Sequence, residues 1–282
     1  MDKIGLIGAG TMGAGIAEVC ARAGKDVVVL EVDDRAVDAG QARVAASLDR
    51  AVRGGRLEPA TRDEVAGRLL WTTRYDDLED RELVIEATPE VEDLKLATFR
   101  RLDEAVQPEA ILASNTSSIP LVKMAAVTKR PQQVVGLHFF NPVPVLPLVE
   151  VVESLLTSPD TTLAVTDFAE KELGKQTIRS KDRAGFVVNA LLVPYLLSAV
   201  RMYESGFASA EDIDEGMVKG CAHPMGPLHL ADLIGLDTCA AVADSLYAEF
   251  KEPLYAPPPL LLRMCEAGLL GRKTGQGFFS YA

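Results

Sequence analysis

Cysteine is scarce in this chain. Cys20, Cys221, Cys239 and Cys265 lie far apart with no CxxC spacing, which argues against a zinc site or a disulfide framework and for reduced thiols in a cytoplasmic protein. Histidine is scarcer still. His138, His223 and His229 show neither HxxxH nor HExxH spacing, so no metal is expected. Positive charge is also short: 29 Lys and Arg against 41 Asp and Glu leave a net charge of -12. Such a chain has no general basic field for nucleic acid, and an anionic ligand must find a local cluster. Nor is there a long apolar run. The most apolar stretch, Gly185 to Val200, is interrupted by Asn189 and Pro194 and falls short of the ~20 residues a bilayer demands, so it reads as a buried helix. An apolar strand starting at Ile4, with no charged and apolar leader before it, predicts no signal or transit peptide. What remains is ordinary globular composition, 282 residues with 48% hydrophobic and 25% charged, enough for one large or two modest domains.

The opening MDKIGLIGAGTMGAGIAEVCARAGKDVVVLEVDD alternates an apolar run, a glycine-rich turn, a helical stretch ending near Gly24 and a β-branched run from Val27 to Val32. That is a βαβ unit. Further apolar runs at Leu83 to Ala87, Ile111 to Ser114 and Val134 to Leu137, separated by helical patterning, predict a mostly parallel sheet with covering helices, an α/β Rossmann-type doubly wound domain. Arg35 to Leu70 reads as a polar helical hairpin inserted after the second strand. Beyond Glu150 strand signals thin out, with Thr177 to Arg179 the last, and from Phe186 the pattern is helical, broken at Gly206, at the HPMGP stretch and at Pro257 to Pro259. The expected organisation is residues 1–184 as a nucleotide-binding domain, with the hairpin at about 35–70, and residues 185–282 as an all-α domain.

Gly8, Gly10 and Gly13 form G-x-G-x-x-G between strand and helix. The first permits the tight turn, the second lets backbone approach a pyrophosphate and the third lets helix and strand pack; Thr11, Met12 and Gly13 then present the helix N-terminus to the phosphates. Glu31 follows 18 residues after Gly13, at the end of the second strand, where an acid binds the adenosine ribose hydroxyls. A carboxylate there repels a 2′-phosphate, so NAD is favoured over NADP as cofactor.

Two later segments are unusually polar for strand ends: Ala113-Ser-Asn-Thr-Ser-Ser118 and Gly136-Leu-His-Phe-Phe-Asn-Pro142. Ligands in open α/β sheets bind beyond the strand C-termini, which places Asn115, Ser117, His138 and Asn141 near the nicotinamide. A lone histidine beside Phe139 and Phe140 is ordinarily a core residue. Glu150 in Leu148-Val-Glu-Val-Val152 changes that expectation, because a carboxylate among four aliphatics needs a buried partner and an imidazole is a good one.

These segments, with Glu150, Gly185-Phe-Val-Val-Asn189, Leu192-Val-Pro-Tyr195, His223-Pro-Met-Gly-Pro227 and Gly271-Arg-Lys-Thr-Gly-Gln-Gly-Phe278, resemble the L-3-hydroxyacyl-CoA dehydrogenases, particularly the single-function bacterial 3-hydroxybutyryl-CoA dehydrogenases, across essentially the whole chain. The resemblance implies a His138–Glu150 dyad that takes the proton of a substrate 3-hydroxyl while hydride passes to nicotinamide C4. It also implies roles for Ser117 and Asn189 in holding the substrate oxygen and the dyad; on its own, Asn189 fits a helix-interior amide equally well. Glu90, Lys95, Asn115, Asn141 and Lys273 are implied near the nicotinamide half or the closing edge of the site. By sequence alone Glu90 and Lys95 also suit a solvated helix N-terminus and Lys273 a surface loop. For the coenzyme A phosphates the resemblance points to the hairpin, where Ser47, Arg50, Arg53 and Arg56 recur at three-residue steps, although Gly54 stands where some relatives carry lysine; Ser47 with Arg50 or Arg53 is the expected contact. It implies a homodimer formed by the aliphatic helices Phe186 to Ala199 and Leu228 to Tyr247. His223 and His229 lie around the HPMGP turn, where turn residues and prolines predict structural roles, and Tyr195 is expected to pack with its hydroxyl at a boundary. Two alternatives stay open: a sugar-acid relative such as L-gulonate 3-dehydrogenase, and a non-catalytic NAD-binding structural protein of the lens-crystallin kind. The joint presence of His138, Glu150, Ser117 and Asn189 speaks against the second.

Overall fold

The computed structural model describes residues 1–281. The chain divides into two units, Met1–Asp182 and the residues from Arg183 onward. The first unit is built on β1 (Lys3–Ile7), α1 (Thr11–Arg22), β2 (Asp26–Leu30), α2 (Asp34–Arg53), α3 (Pro59–Gly67), β3 (Leu69–Thr72), β4 (Leu83–Glu86), α4 (Glu92–Ala105), β5 (Ile111–Ser114), α5 (Leu121–Ala126), β6 (Val134–Phe139), β7 (Leu148–Glu153), α6 (Pro159–Asp167) and β8 (Gln176–Lys181). The strands form one sheet in the order β3-β2-β1-β4-β5-β6-β7-β8. Every pairing is parallel except β6 with β7. Strands covered on both faces have no polar side to display, which is why β4, β5 and β6 are buried along their whole length and read as continuous apolar runs.

The order reverses at β1, so the crevice at the C-terminal ends of β1 and β4 is the topological switch point where ligands bind in this architecture. Asp33 caps α2 by accepting the Ala36 N–H at 2.8 Å. The hairpin is held at its base by Val44 and Leu48 of α2 and Val65 of α3, all in the main core, each side chain contributing about 2 kcal/mol by burial. The sequence expectation of helix through Leu70 is corrected here: α3 stops at Gly67 and Leu69–Thr72 joins the sheet as edge strand β3. A strand of four residues, buried at Leu69 and half-exposed or exposed beyond it, carries little period of its own.

The second unit contains α7 (Val188–Glu204), α8 (Ala210–Cys221), α9 (Pro227–Ile234), α10 (Leu236–Phe250) and α11 (Pro259–Glu266). Its core includes Leu196, Leu197, Leu228, Leu236, Ala243 and Leu246. The Leu228 to Tyr247 stretch is two helices, broken at Gly235, whose φ of 104° suits glycine alone. The expectation that Gly185 to Val200 is simply a buried helix also needs correction. One face of α7 is buried at Val193, Leu196, Leu197 and Val200, but Leu191 is 73% exposed. No helix among the described residues is long and apolar enough to cross a membrane.

Candidate active site

The glycine loop between β1 and α1 has the geometry a dinucleotide needs. Gly8 sits at φ 86°, and its N–H donates to Leu30 O at 2.9 Å, tying the loop to the end of β2. A Cβ on Gly13 would lie 1.9 Å from the Gly8 carbonyl oxygen, so only glycine allows this approach of helix to turn. At Gly10 a Cβ would meet nothing within 4 Å, and no side chain caps the first turn of α1. The uncapped N–H groups of that turn therefore face an open cradle, which fits a pyrophosphate. Glu31 accepts the Ala9 N–H through Oε1 and the Val32 N–H at 3.2 Å through Oε2, while Arg43 of α2 donates to Ala9 O at 3.2 Å. The acid expected at the ribose is thus directly beside the phosphate loop. Arg43, which no spacing rule singled out, holds the carbonyl of the same residue, Ala9, so the two side chains pin successive peptide units of the loop.

His138 is on β6 and Glu150 lies opposite it on β7 in the antiparallel register. Their Nδ1 and Oε2 atoms are 2.6 Å apart, Glu150 is fully buried and His138 is 6% exposed. A carboxylate at that distance requires a proton on Nδ1, which fixes the tautomer and assigns Nε2 as the proton-accepting atom. The ring edge is held by Phe140, 4.7 Å between centroids. Asn115, just beyond β5, accepts the Phe139 N–H at 2.9 Å through Oδ1 and so fastens the polar segment after β5 to the strand that carries the histidine. Asn141 is exposed and precedes a cis proline, Pro142. The loop that follows is anchored by Lys175, whose Nζ donates to Val143 O at 2.6 Å and Leu146 O at 2.8 Å. Burial pushes the Lys175 ammonium below its ordinary pKa.

Ser117 is presented by a loop organised around Glu90. The Oε1 atom of Glu90 accepts from Thr116 Oγ1 at 2.5 Å, Ser117 N at 3.0 Å, Ser118 N at 3.1 Å and Ser118 Oγ at 3.0 Å. Burial raises the pKa of this carboxyl, but the Lys95 charge and the donors from Thr116, Ser118 and Ser117 outweigh it and hold the group below the usual carboxylate range. Lys95 is not the solvated charge that its helix position suggested. It is 1% exposed and donates to Glu86 at 2.7 Å and Thr88 O at 3.1 Å. Glu86, at the end of β4, is a residue the sequence reading missed. Its signal was there: Glu150 sits inside an aliphatic run and Glu86 closes one, and an acid in either place needs a partner once buried.

On α2, Ser47 is half-buried and Arg50 and Arg53 are exposed; neither arginine forms an ion pair among the described residues. Asn189 and Lys273 belong to the second unit. Asn189 is half-buried in the first turn of α7, and Lys273 holds both oxygens of Asp237 at 2.6 Å. Tyr195 bonds His223 at 3.1 Å, and His229 pairs with buried Asp214 at 2.6 Å and stacks on Phe279. Both are contacts that tie neighbouring helices together. No group of His, Cys, Asp and Glu that could hold a metal occurs among the described residues.

An open dinucleotide cradle and a buried imidazole–carboxylate pair along the same edge of one sheet define a nicotinamide-dependent alcohol dehydrogenase. Residues 3–183 match the profile of the 3-hydroxyacyl-CoA dehydrogenase NAD binding domain, and residues 185–281 that of the 3-hydroxyacyl-CoA dehydrogenase C-terminal domain. The chain belongs to the 3-hydroxyacyl-CoA dehydrogenase family, and its cofactor is NAD. It is 57% identical to the 3-hydroxybutyryl-CoA dehydrogenase of Mycobacterium tuberculosis over 282 residues, covering 100% of this chain and 99% of the relative. Among solved structures it is similar to M. tuberculosis FadB2, with a TM-score of 0.99 and 100% of this chain and 99% of that one covered. It is also similar to (S)-3-hydroxybutyryl-CoA dehydrogenase from Ralstonia eutropha, with a TM-score of 0.93, 48% identity and coverage of 99% and 98%.

Proposed function

We propose that this protein is an NAD-dependent L-3-hydroxyacyl-CoA dehydrogenase of short-chain preference that interconverts 3-hydroxybutyryl-CoA and acetoacetyl-CoA. The observation that carries the reading is the 2.6 Å contact between buried Glu150 and His138. When bound, NAD supplies the hydride acceptor at nicotinamide C4. His138 Nε2 takes the proton of the 3-hydroxyl, and Glu150 stabilises the imidazolium as it forms. In the reverse direction the protonated His138 returns that proton to the developing alkoxide. Ser117 and Asn189 are assigned to the substrate oxygen and the dyad. Gly8, Gly10, Thr11, Met12, Gly13 and Glu31 are assigned to the adenosine and pyrophosphate half, and Glu90, Lys95, Asn115, Asn141 and Lys273 to the nicotinamide half or the closing edge. For Lys95 the support is indirect, because its ammonium is occupied by Glu86 and Thr88.

Coenzyme A carries several negative charges, and in an acidic protein the unpaired Arg50 and Arg53 beside Ser47 supply the local counter-charge. Exposed Leu191, Met202, Tyr203, Phe207, Leu233 and Ile234 of the helical unit support a homodimer formed through that unit. Four unbridged cysteines support work in the reducing cytoplasm. The deciding experiment follows NADH oxidation with acetoacetyl-CoA, with free acetoacetate and with a 3-keto sugar acid. Turnover confined to the thioester is expected. Turnover of the sugar acid instead would transfer the assignment to a gulonate-type enzyme, and NADH binding without any turnover would leave a structural NAD-binding protein.

A further inference from the structure

We propose that Glu86 is a positioning residue for this reaction: its carboxylate holds the Lys95 ammonium back from Glu90, leaving Glu90 to fix the loop that presents Ser117. The inference rests on the assignment of Ser117 to the substrate oxygen. Glu86 is fully buried, and its two oxygens accept from Lys95 Nζ at 2.7 Å, Thr88 N at 2.6 Å, Thr88 Oγ1 at 2.5 Å and Ser114 Oγ at 2.6 Å. A carboxylate occupied by four donors is a frame for its neighbours rather than a ligand for anything that enters the site.

Two lines run from Glu86 to the loop. Along the first, Ser114 Oγ donates to Glu86 and accepts the Thr116 N–H at 3.1 Å, so the turn after β5 hangs from the carboxylate. The second is electrostatic. Lys95 lies between two acids, 2.7 Å from Glu86 and 3.4 Å from Glu90 Oε2. The Oε1 atom of Glu90, on the other side of the same carboxylate, carries the Ser117 and Ser118 amides. A buried ammonium moves toward whatever negative charge remains. Remove the charge of Glu86 and Lys95 is drawn onto Glu90, turning that carboxylate away from the amides and displacing Ser117. A second neutralisation, at Lys95, removes the pull.

The test is a pair of variants, Glu86→Gln and Glu86→Gln with Lys95→Met, both followed by amide hydrogen exchange in a peptide spanning residues 114–119 and the single variant also by turnover. In E86Q, kcat should fall about 10- to 100-fold, the usual penalty of a misplaced contact, and exchange of the 114–119 segment should rise. In the double variant, exchange should return toward wild type, a sign of coupling; kcat is read in E86Q alone, because Lys95 is itself assigned to the cofactor site. Packing alone predicts the opposite order, with the double variant no better than the single. E86Q with wild-type turnover and exchange, or a double variant whose exchange is no lower than that of E86Q, overturns the proposal. If E86Q alone does not fold, the double variant against wild type decides, and strongly raised exchange there overturns it. Exchange is read without substrate. Failure of the dehydrogenase assignment, a wild-type enzyme silent with acetoacetyl-CoA, is therefore distinguishable from failure of the Glu86 relation.

Discussion

Glu150→Gln removes one charge from the dyad and almost none of its volume. On the proposed mechanism the imidazolium formed during alcohol oxidation lies against a buried carboxylate 2.6 Å from Nδ1. With charge centres about 4 Å apart and an effective dielectric near 20, the attraction is about 4 kcal/mol. Glutamine keeps a neutral hydrogen bond to Nδ1 but loses the charge-assisted part, worth about 1.5 kcal/mol at the low end. At about 1.4 kcal/mol per decade, these limits correspond to a fall in kcat of about 10- to 1000-fold. The KM for NAD should stay within about threefold, because the glycine loop and Glu31 lie on other strands. Steady-state NADH formation from 3-hydroxybutyryl-CoA measures the effect. The Haldane relation demands that kcat/KM fall by the same factor for 3-hydroxybutyryl-CoA oxidation and acetoacetyl-CoA reduction, which checks the two assays against each other. A kcat within threefold of wild type would refute the reasoning, since the carboxylate would then contribute nothing to the developing charge. A comparable loss of NAD affinity would show that the substitution had disturbed the sheet instead.

Glu31→Ala should relax the preference for NADH over NADPH, because the charge facing a 2′-phosphate is gone; the ratio of kcat/KM for the two cofactors is the measure, and an unchanged ratio places discrimination elsewhere. Gly13→Ala puts a methyl 1.9 Å from the Gly8 carbonyl, so NAD binding should weaken at least about tenfold and Tm should drop by several degrees; calorimetric titration and thermal unfolding read the two effects, and wild-type affinity would mean that the loop can move at little cost. Burial pushes the thiols of Cys20 and Cys239 up to about 12. Both should therefore stay unlabelled by iodoacetamide in the native protein under mildly alkaline conditions and label only on unfolding, an outcome that mass spectrometry of the peptides checks.

The contrast between Glu150 and Glu86 shows how far the site was legible in the sequence. Both are acids in aliphatic strands, and burying either requires a cation or a set of donors. Glu150 was readable because its partner is a histidine, a residue scarce enough in this chain to draw attention. That the two face each other depends on a non-local antiparallel register, His138 against Glu150, which no local pattern states. The partner of Glu86 is Lys95, nine residues on, and a lysine in the first turns of an amphipathic helix looks solvated until the fold closes over it. The same limit hid β3, whose four residues gain their identity from pairing with β2 rather than from their own period, and Arg43, whose contact with Ala9 exists only once α2 lies beside the glycine loop. Glycine spacing and β-branched runs are local constraints and survive in the sequence. A buried charge, by contrast, declares only that a partner exists. In this chain an acid inside an aliphatic run, Glu150, pointed to its histidine partner, whereas an acid closing one, Glu86, becomes legible only once Lys95 and Ser114 are seen to donate to it.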